Sequence, residues 1–313
     1  MTSYLWRLFC LSLSVWFVVQ LAAGLVLRVC GPRLIEFAER FQPAGAAKIM
    51  LTLRWAPAGC GLFAALCLCA PSYLRFEPLE SDEGIGFLCV SLAALCVMSY
   101  LVPMAHVAFE IIRSELRLKA LLRDAEEQAA GICVILTASP AMALAGLFRS
   151  RVLVSREVLA VLNADQMDAA IRHEQAHKES CDNGKRLLLE IAPLDGSTPD
   201  LRGAWSRFTE WAADDRATEG DSSRSVALAS ALVSVARLGA PECLAHASLL
   251  IADGCDLRTR VERLLEPPGR ARHSFPAALA AMCVAAAAGL IALVAQHQSA
   301  AAIVHNVLEA LVD

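Results

Sequence analysis

Apolar residues are not spread evenly along this chain. Residues 8–27, 55–74 and 84–109 hold no Asp, Glu, Lys or Arg, and a fourth apolar run covers 275–295. Crossing the hydrocarbon of a bilayer takes about 20 apolar residues, so each run is long enough to span one. Between the third and fourth runs the pattern changes to mixed charged and apolar positions of ordinary domain character. The pattern therefore predicts three transmembrane helices within 1–110 (about 5–27, 55–74 and 85–109) and a polar domain over 111–272. A fourth helix over 273–296 and a short tail over 297–313 complete it. The fold class expected is a mainly α membrane protein with an α+β domain between its third and fourth spans.

The loop cations give an orientation. Arg28, Arg33, Arg40, Lys48 and Arg54 fall between the first two runs, whereas Arg75 stands alone between the second and third. The polar stretch opens with Arg113, Arg117, Lys119 and Arg123 and closes with Arg258, Arg260, Arg263, Arg270 and Arg272. Lys and Arg collect on the cytoplasmic side, which places both termini outside and the polar domain in the cytoplasm. A cleaved signal peptide would put the first basic loop outside, so a retained first helix is expected. Tyr4, Trp6, Trp55 and Tyr73 lie near the span ends, where interfacial aromatics sit.

Composition agrees with this division. Hydrophobic residues make up 57% and charged residues 19%, which excludes disorder, and a net charge of −4 gives no reason to expect direct nucleic-acid binding. The twelve cysteines show no paired CxxC spacing, and many fall inside the apolar runs, so they read as reduced packing residues. Gly59-Cys60-Gly61 offers close helix packing, and Pro57 and Pro103 offer kinks. His106 in the third span reads as a neutral histidine, and Cys181 as packing.

The candidate chemistry lies in the polar stretch. His173-Glu174-Gln175-Ala176-His177 is an HExxH string. Asn163 with Gln166 forms a capping-box pattern before it, and Val161, Met167, Ala170 and Ile171 supply an apolar face, so a helix is expected. Histidines four apart project from one helical face, where two imidazoles can share a zinc ion and Glu174 can take a proton from water. The bland alternative is two unrelated histidines on a solvated helix. A second helix is expected from Thr198 at the N-cap and Pro199 at the first turn, to about Glu219. One of its faces carries Gly203, Ser206, Glu210, Ala213, Asp214 and Ala217, small residues with two acids among them. Glu210 is the expected third zinc ligand, and Asp214 the acceptor that fixes a ligand histidine's tautomer.

HExxH, Asp182 five residues on, and Glu210-Trp211-Ala212-Ala213-Asp214 together resemble the integral-membrane gluzincins. The closest resemblance is to the BlaR/MecR receptor-type peptidases, with the HtpX-type membrane peptidases more distant. Residues 145–154 resemble the hairpin that precedes the zinc helix there, and Arg260-Val261-Glu262-Arg263-Leu264-Leu265 the segment leading into the last span. The resemblance covers nearly the whole chain. It implies a zincin-like (gluzincin) domain, one Zn²⁺ per chain and peptide-bond hydrolysis with Glu174 as the base. Asp182 joins Asp214 among the residues that orient the ligands. Arg216 is a transition-state donor under this reading and an exposed helix cation under the plainer one. Strands at 132–137 and 151–154, with 141–147 between them, either bind an extended substrate or form a structural hairpin. The implied partner is a cytoplasmic protein substrate, in this family a transcriptional repressor, with a homodimer as an open assembly. Membrane-protein quality control and a non-catalytic transducer are the alternatives. Residues 296–313 leave no counterpart of the family's sensor domain, so β-lactam sensing is not carried over, and Gly184 is expected to interrupt the zinc helix.

Overall fold

The computed structural model describes residues 2–77, 85–123, 126–128, 132–135, 142–146, 151–193, 200–239, 248–249 and 257–266. The fourth apolar run, the tail, Thr198 and Pro199 lie outside the described residues. The chain is mostly helical. It opens with α1 (Thr2–Ala38) and α2 (Pro43–Phe63), which continues through a π-helical segment, Ala64–Cys69, into α3 (Ala70–Phe76); α4 spans Phe87–Arg123. Three helical stretches, Tyr4–Ala38, Pro43–Phe76 and Phe87–Ala120, are long and apolar enough to cross a membrane. The π segment runs into Pro71, whose ring would clash with the carbonyl four residues back in a regular helix; the wider turn makes room for it.

These helices outrun the expected spans. At 37 residues, α1 and α4 are each about 55 Å long, against about 30 Å of bilayer hydrocarbon. The expected basic loop from Arg28 to Arg54 is instead mostly helix, with only 39–42 turning between α1 and α2. The reason is that apolar residues recur beneath those cations. Leu27, Leu34, Ile35 and Ala38 of α1 and Ala46 and Met50 of α2 pack together in one core cluster. Gly61 packs tightly on α1, since a Cβ there would run into Trp16, whereas Gly59 faces open space.

The polar domain follows. Its strands are β1 (Glu126–Gln128), β2 (Ile132–Ile135), β3 (Met142–Ala145) and β4 (Arg151–Ser155). Then come α5 (Arg156–Val161), α6 (Ala164–Glu179), α7 (Asp182–Ile191), α8 (Leu201–Thr218) and α9 (Ser222–Arg237). A two-residue strand, β5 (Ser248–Leu249), and α10 (Leu257–Leu265) close the described part. The sheet order is β1-β2-β4-β3-β5, with β2 and β4 parallel and the other pairs antiparallel. β4 is therefore interior, and β5 pairs with β3 at Ala143 and Leu144. Alternate residues serve opposite faces. Met142, Leu144, Val152 and Val154 pack with Ala169 and Ala170 of α6 and Leu228 and Leu232 of α9. Cys133, Ile135, Ala143 and Leu153 meet Leu118 and Leu122 on the extension of α4. Burial on both faces explains why the inner strands, β2, β3 and residues 152–154 of β4, read as unbroken apolar runs.

The end of the α1–α2 hairpin packs on α8 through Leu201, Ala204, Trp205 and Phe208, so that end and the polar domain share one end of the bundle. Several local expectations change here. Val161 ends α5 and is exposed rather than part of the α6 face. Tyr4 and Tyr73 are buried against each other with ring centroids 5.0 Å apart. No disulfide joins the described cysteines; Cys10, Cys69, Cys89, Cys96 and Cys133 are buried, but Cys30, Cys60 and Cys181 are exposed and do not pack in the core. Cys181 occupies the tight turn after α6 with φ 55°, which directs its side chain outward. His106 is exposed on α4. Trp205 is buried to 2% exposure in the hairpin–α8 core, so Trp205→Ala should cost about 3–5 kcal/mol. Denaturant unfolding of the purified chain in detergent checks it, and a loss below 1 kcal/mol would contradict this packing.

Candidate metal centre

The helix that carries HExxH starts where its local chemistry dictates. Asn163 Oδ1 accepts from the backbone N–H of Gln166 at 2.9 Å, and Gln166 Oε1 accepts from that of Asn163 at 3.0 Å. This reciprocal cap leaves α6 in register to present His173 and His177 on one face. It ends at Glu179 with Ser180 as its cap, and the break falls at Cys181 rather than at Gly184, which lies inside α7. α8 begins at Leu201, with Asp200 rather than Thr198 as its cap. The Asp200 carboxylate accepts from the N–H of Gly203 at 2.8 Å, and a Cβ at 203 would collide with it.

α6 and α8 pack face to face and bring His173, His177 and Glu210 together, all 0–1% exposed. His173 Nε2 and His177 Nε2 are 3.1 Å apart. Glu210 Oε2 lies 3.4 Å from His173 Nε2, and its Oε1 3.6 Å from His177 Nε2. The far side of each ring faces an acid. His177 Nδ1 is 2.9 Å from Asp182 Oδ2, at the start of α7, and His173 Nδ1 is 2.9 Å from Asp214 Oδ1. A proton on His177 Nδ1 satisfies Asp182, while Asp214 faces His173 Nδ1 at contact distance without closing a well-formed hydrogen bond. In these tautomers two Nε2 atoms and a Glu210 oxygen face one another. Three such donors so close repel unless a proton or a metal ion lies between them. Metal bonds of about 2.0–2.1 Å at tetrahedral angles put donors roughly 3.3–3.4 Å apart, so this donor set fits a zinc-sized ion. The chain's own groups therefore make a candidate metal site of two histidines and a glutamate.

Arg260 is the group that the sequence reading did not place here. It comes from α10 with 1% exposure, and its Nε and Nη2 donate to the two oxygens of Asp214 at 3.0 and 2.6 Å. Nη1 lies 3.0 Å from Glu210 Oε2. One guanidinium thus braces both buried acids of α8, a planar fork matched to a carboxylate. The signal was present, since Leu257, Arg260, Val261 and Leu264 fall on one helical stripe, with an arginine where an apolar residue is expected. One turn on, Arg263 donates to Trp211 O at 3.2 Å and to Asp215 Oδ1 at 2.5 Å.

The electrostatics follow from burial opposed by neighbours. Burial works against ionising Asp214, yet Arg260 and His173 outweigh it and lower it to about 2. Glu210 is held well below the ordinary carboxylate range against the same penalty, chiefly by Arg260 and the two histidines. Burial disfavours a charged His177, but Glu210 and Asp182 overcome it and raise it to about 10. The centre attracts positive charge. Glu174 differs: burial pushes it up to about 7, although His173 and His177 pull the other way. The Leu144 N–H faces it from β3 without closing a well-formed hydrogen bond. Arg216 is not among the residues gathered here. It donates to Ala176 O at 3.3 Å and Ser180 Oγ at 2.7 Å, serving the C-terminal end of α6.

No family model, curated protein or solved structure matches this chain.

Arg260→Met would strand two carboxylates in a dry interior, a loss of about 3–5 kcal/mol. Arg260→Lys should recover only part of it, because an ammonium cannot grip Asp214 with two parallel bonds. Thermal unfolding of the three proteins side by side is the check. Equal stability of Arg260→Met and wild type would refute the bracing role.

Proposed function

We propose that the chain is a membrane-embedded zinc endopeptidase that cleaves a cytoplasmic protein. The observation that carries this is the juxtaposition of three donor groups, His173, His177 and Glu210, with a buried, poorly solvated carboxyl one residue away at Glu174. Bound zinc would supply Lewis acidity and lower the pKa of water to about 7. His173, His177 and Glu210 would hold it. Asp182 holds His177 in the tautomer that leaves Nε2 free, and the Asp214 carboxylate 2.9 Å from His173 Nδ1 favours the same tautomer there. Glu174, raised toward neutrality, is suited to accept a proton from the attacking water and return it to the leaving amine. Glu210 stays ionised through Arg260.

The sidedness of this reading rests on the Lys/Arg bias, which assigns the polar domain to the cytoplasm, with both termini outside and a fourth span over 273–296. The domain as a gluzincin, and a transcriptional repressor as its substrate, rest on the resemblance to the BlaR/MecR group in the HExxH and ExxxD strings. A substrate reaching β3 in extended form meets an edge already paired with β5 at Ala143 and Leu144. Opening that edge is part of substrate entry in this proposal.

Glu174→Gln separates chemistry from folding. The variant should keep one zinc per chain and wild-type thermal stability, while peptide hydrolysis falls by about 10²–10⁴-fold. Cleavage of a casein-type protein substrate by purified protein, with and without a chelator, gives the readout. Undiminished cleavage would overturn the proposal, and an unchanged cellular phenotype would favour a non-catalytic transducer.

A further inference from the structure

The α1–α2 hairpin reaches the metal centre without touching it, through α7. This helix has ten residues, about 15 Å of length, and its two ends are held by different parts of the molecule. At the first end Asp182 contacts His177 Nδ1 at 2.9 Å, and Asn183 Nδ2 donates to Leu144 O and Gly146 O at 3.2 and 3.1 Å. At the other end Arg54 of α2 donates from Nη2 to Ala192 O at 2.6 Å and from Nη1 to Pro193 O at 2.8 Å. Trp55 Nε1 adds a bond to Leu188 O at 3.1 Å.

Arg54 is the opposite of a solvated loop cation: it is 2% exposed. A buried guanidinium is retained only against partners, and Arg54 meets the carbonyls of Ala192, the extended cap of α7, and of Pro193 just past it, near the negative end of the helix dipole. The start of α7 does not fix its direction alone. Its cap, Cys181, sits at φ 55° and makes no side-chain capping bond, so α7 is a new helix set at an angle to α6 rather than a continuation of it. Behind Arg54, Ala46 and Met50 are fully buried, so the anchor is itself rigid.

We propose that Arg54 is a positioning residue for the metal centre. By pinning the far end of α7 to the second apolar helix, it holds Asp182 on His177, so that the hairpin sets metal affinity from a distance. This rests on the metal reading given above.

The test is zinc affinity, measured by competition with a chromophoric chelator on the purified full chain in detergent. Arg54→Met should weaken zinc binding about tenfold, the lower end of the range for loss of a partner that orients a ligand histidine. Arg54→Lys, which keeps the charge but not the fork, should recover part of that. Asp182→Asn should weaken binding about 10–100-fold. With Asp182→Asn already present, Arg54→Met should add less than twofold, because its route to the metal is gone. Amide hydrogen exchange without metal should speed up in α7 of Arg54→Met while α9 keeps its protection. Should Arg54→Met not fold, Trp55→Phe, which removes the Leu188 bond alone, should show a smaller effect in the same direction. Zinc binding with unchanged affinity in Arg54→Met, or losses that multiply in the double variant, would overturn this proposal alone. A wild-type chain that binds no zinc would remove the metal reading and this proposal with it.

Discussion

Two carboxylates one helical turn apart, Glu210 and Asp214, are buried at 0–1% exposure on α8. Ionised acids in such a place persist only if cations answer them at close range. Arg260 answers both, His173 answers Asp214 on its other side, and the lone pairs of His173, His177 and Glu210 converge on one point. The arrangement of α6, α7, α8 and α10 can be read as the geometry that keeps this charge balance closed. Move α10 and two acids lose their partner. Rotate α8 and the histidines face an apolar surface.

The same helix explains how a membrane bundle and a polar domain become one structure. One side of α8 carries Glu210 and Asp214 toward α6; another carries Trp205 and Phe208 into the core shared with the ends of α1 and α2. Trp211 has Arg207 and Arg263 over its ring at 5.6 and 5.5 Å, and Arg207 reaches Glu39 beside the α1–α2 turn at 2.9 Å. Apolar helices longer than a bilayer's thickness thus form a base on which rest the sheet and the helices that carry His173, His177 and Glu210. α4 contributes in the same way from below the sheet through Leu118 and Leu122.

What was legible in the sequence was what is local. The Asn163–Gln166 cap, the shared face of His173 and His177, and the small-residue face around Glu210 and Asp214 all depend on spacing within a turn or two. Asp182 was reached by resemblance, and the structure sets it beside His177. The largest misreadings share one cause, which is that long-range contacts override local signals. Arg28 to Arg54 looked like a loop by charge, but partners on α8 make it helical. Arg54 looked solvated, yet its partners are 138 and 139 residues away. Arg260 was visible as part of a segment but not as a partner of Asp214, 46 residues earlier. Thr198 and Gly184 were reasonable punctuation marks, displaced two or three residues by Asp200 and Cys181.

The central claim is the identity of three ligand atoms, and zinc K-edge X-ray absorption on the purified chain tests it most directly. The account predicts two imidazole nitrogens and carboxylate oxygen at about 2.0–2.1 Å, with no sulfur shell. In Glu210→Gln the nitrogen shell should persist while the oxygen contribution weakens. A shell of sulfur near 2.3 Å would contradict the account, and so would an imidazole signal unaltered by His173→Ala.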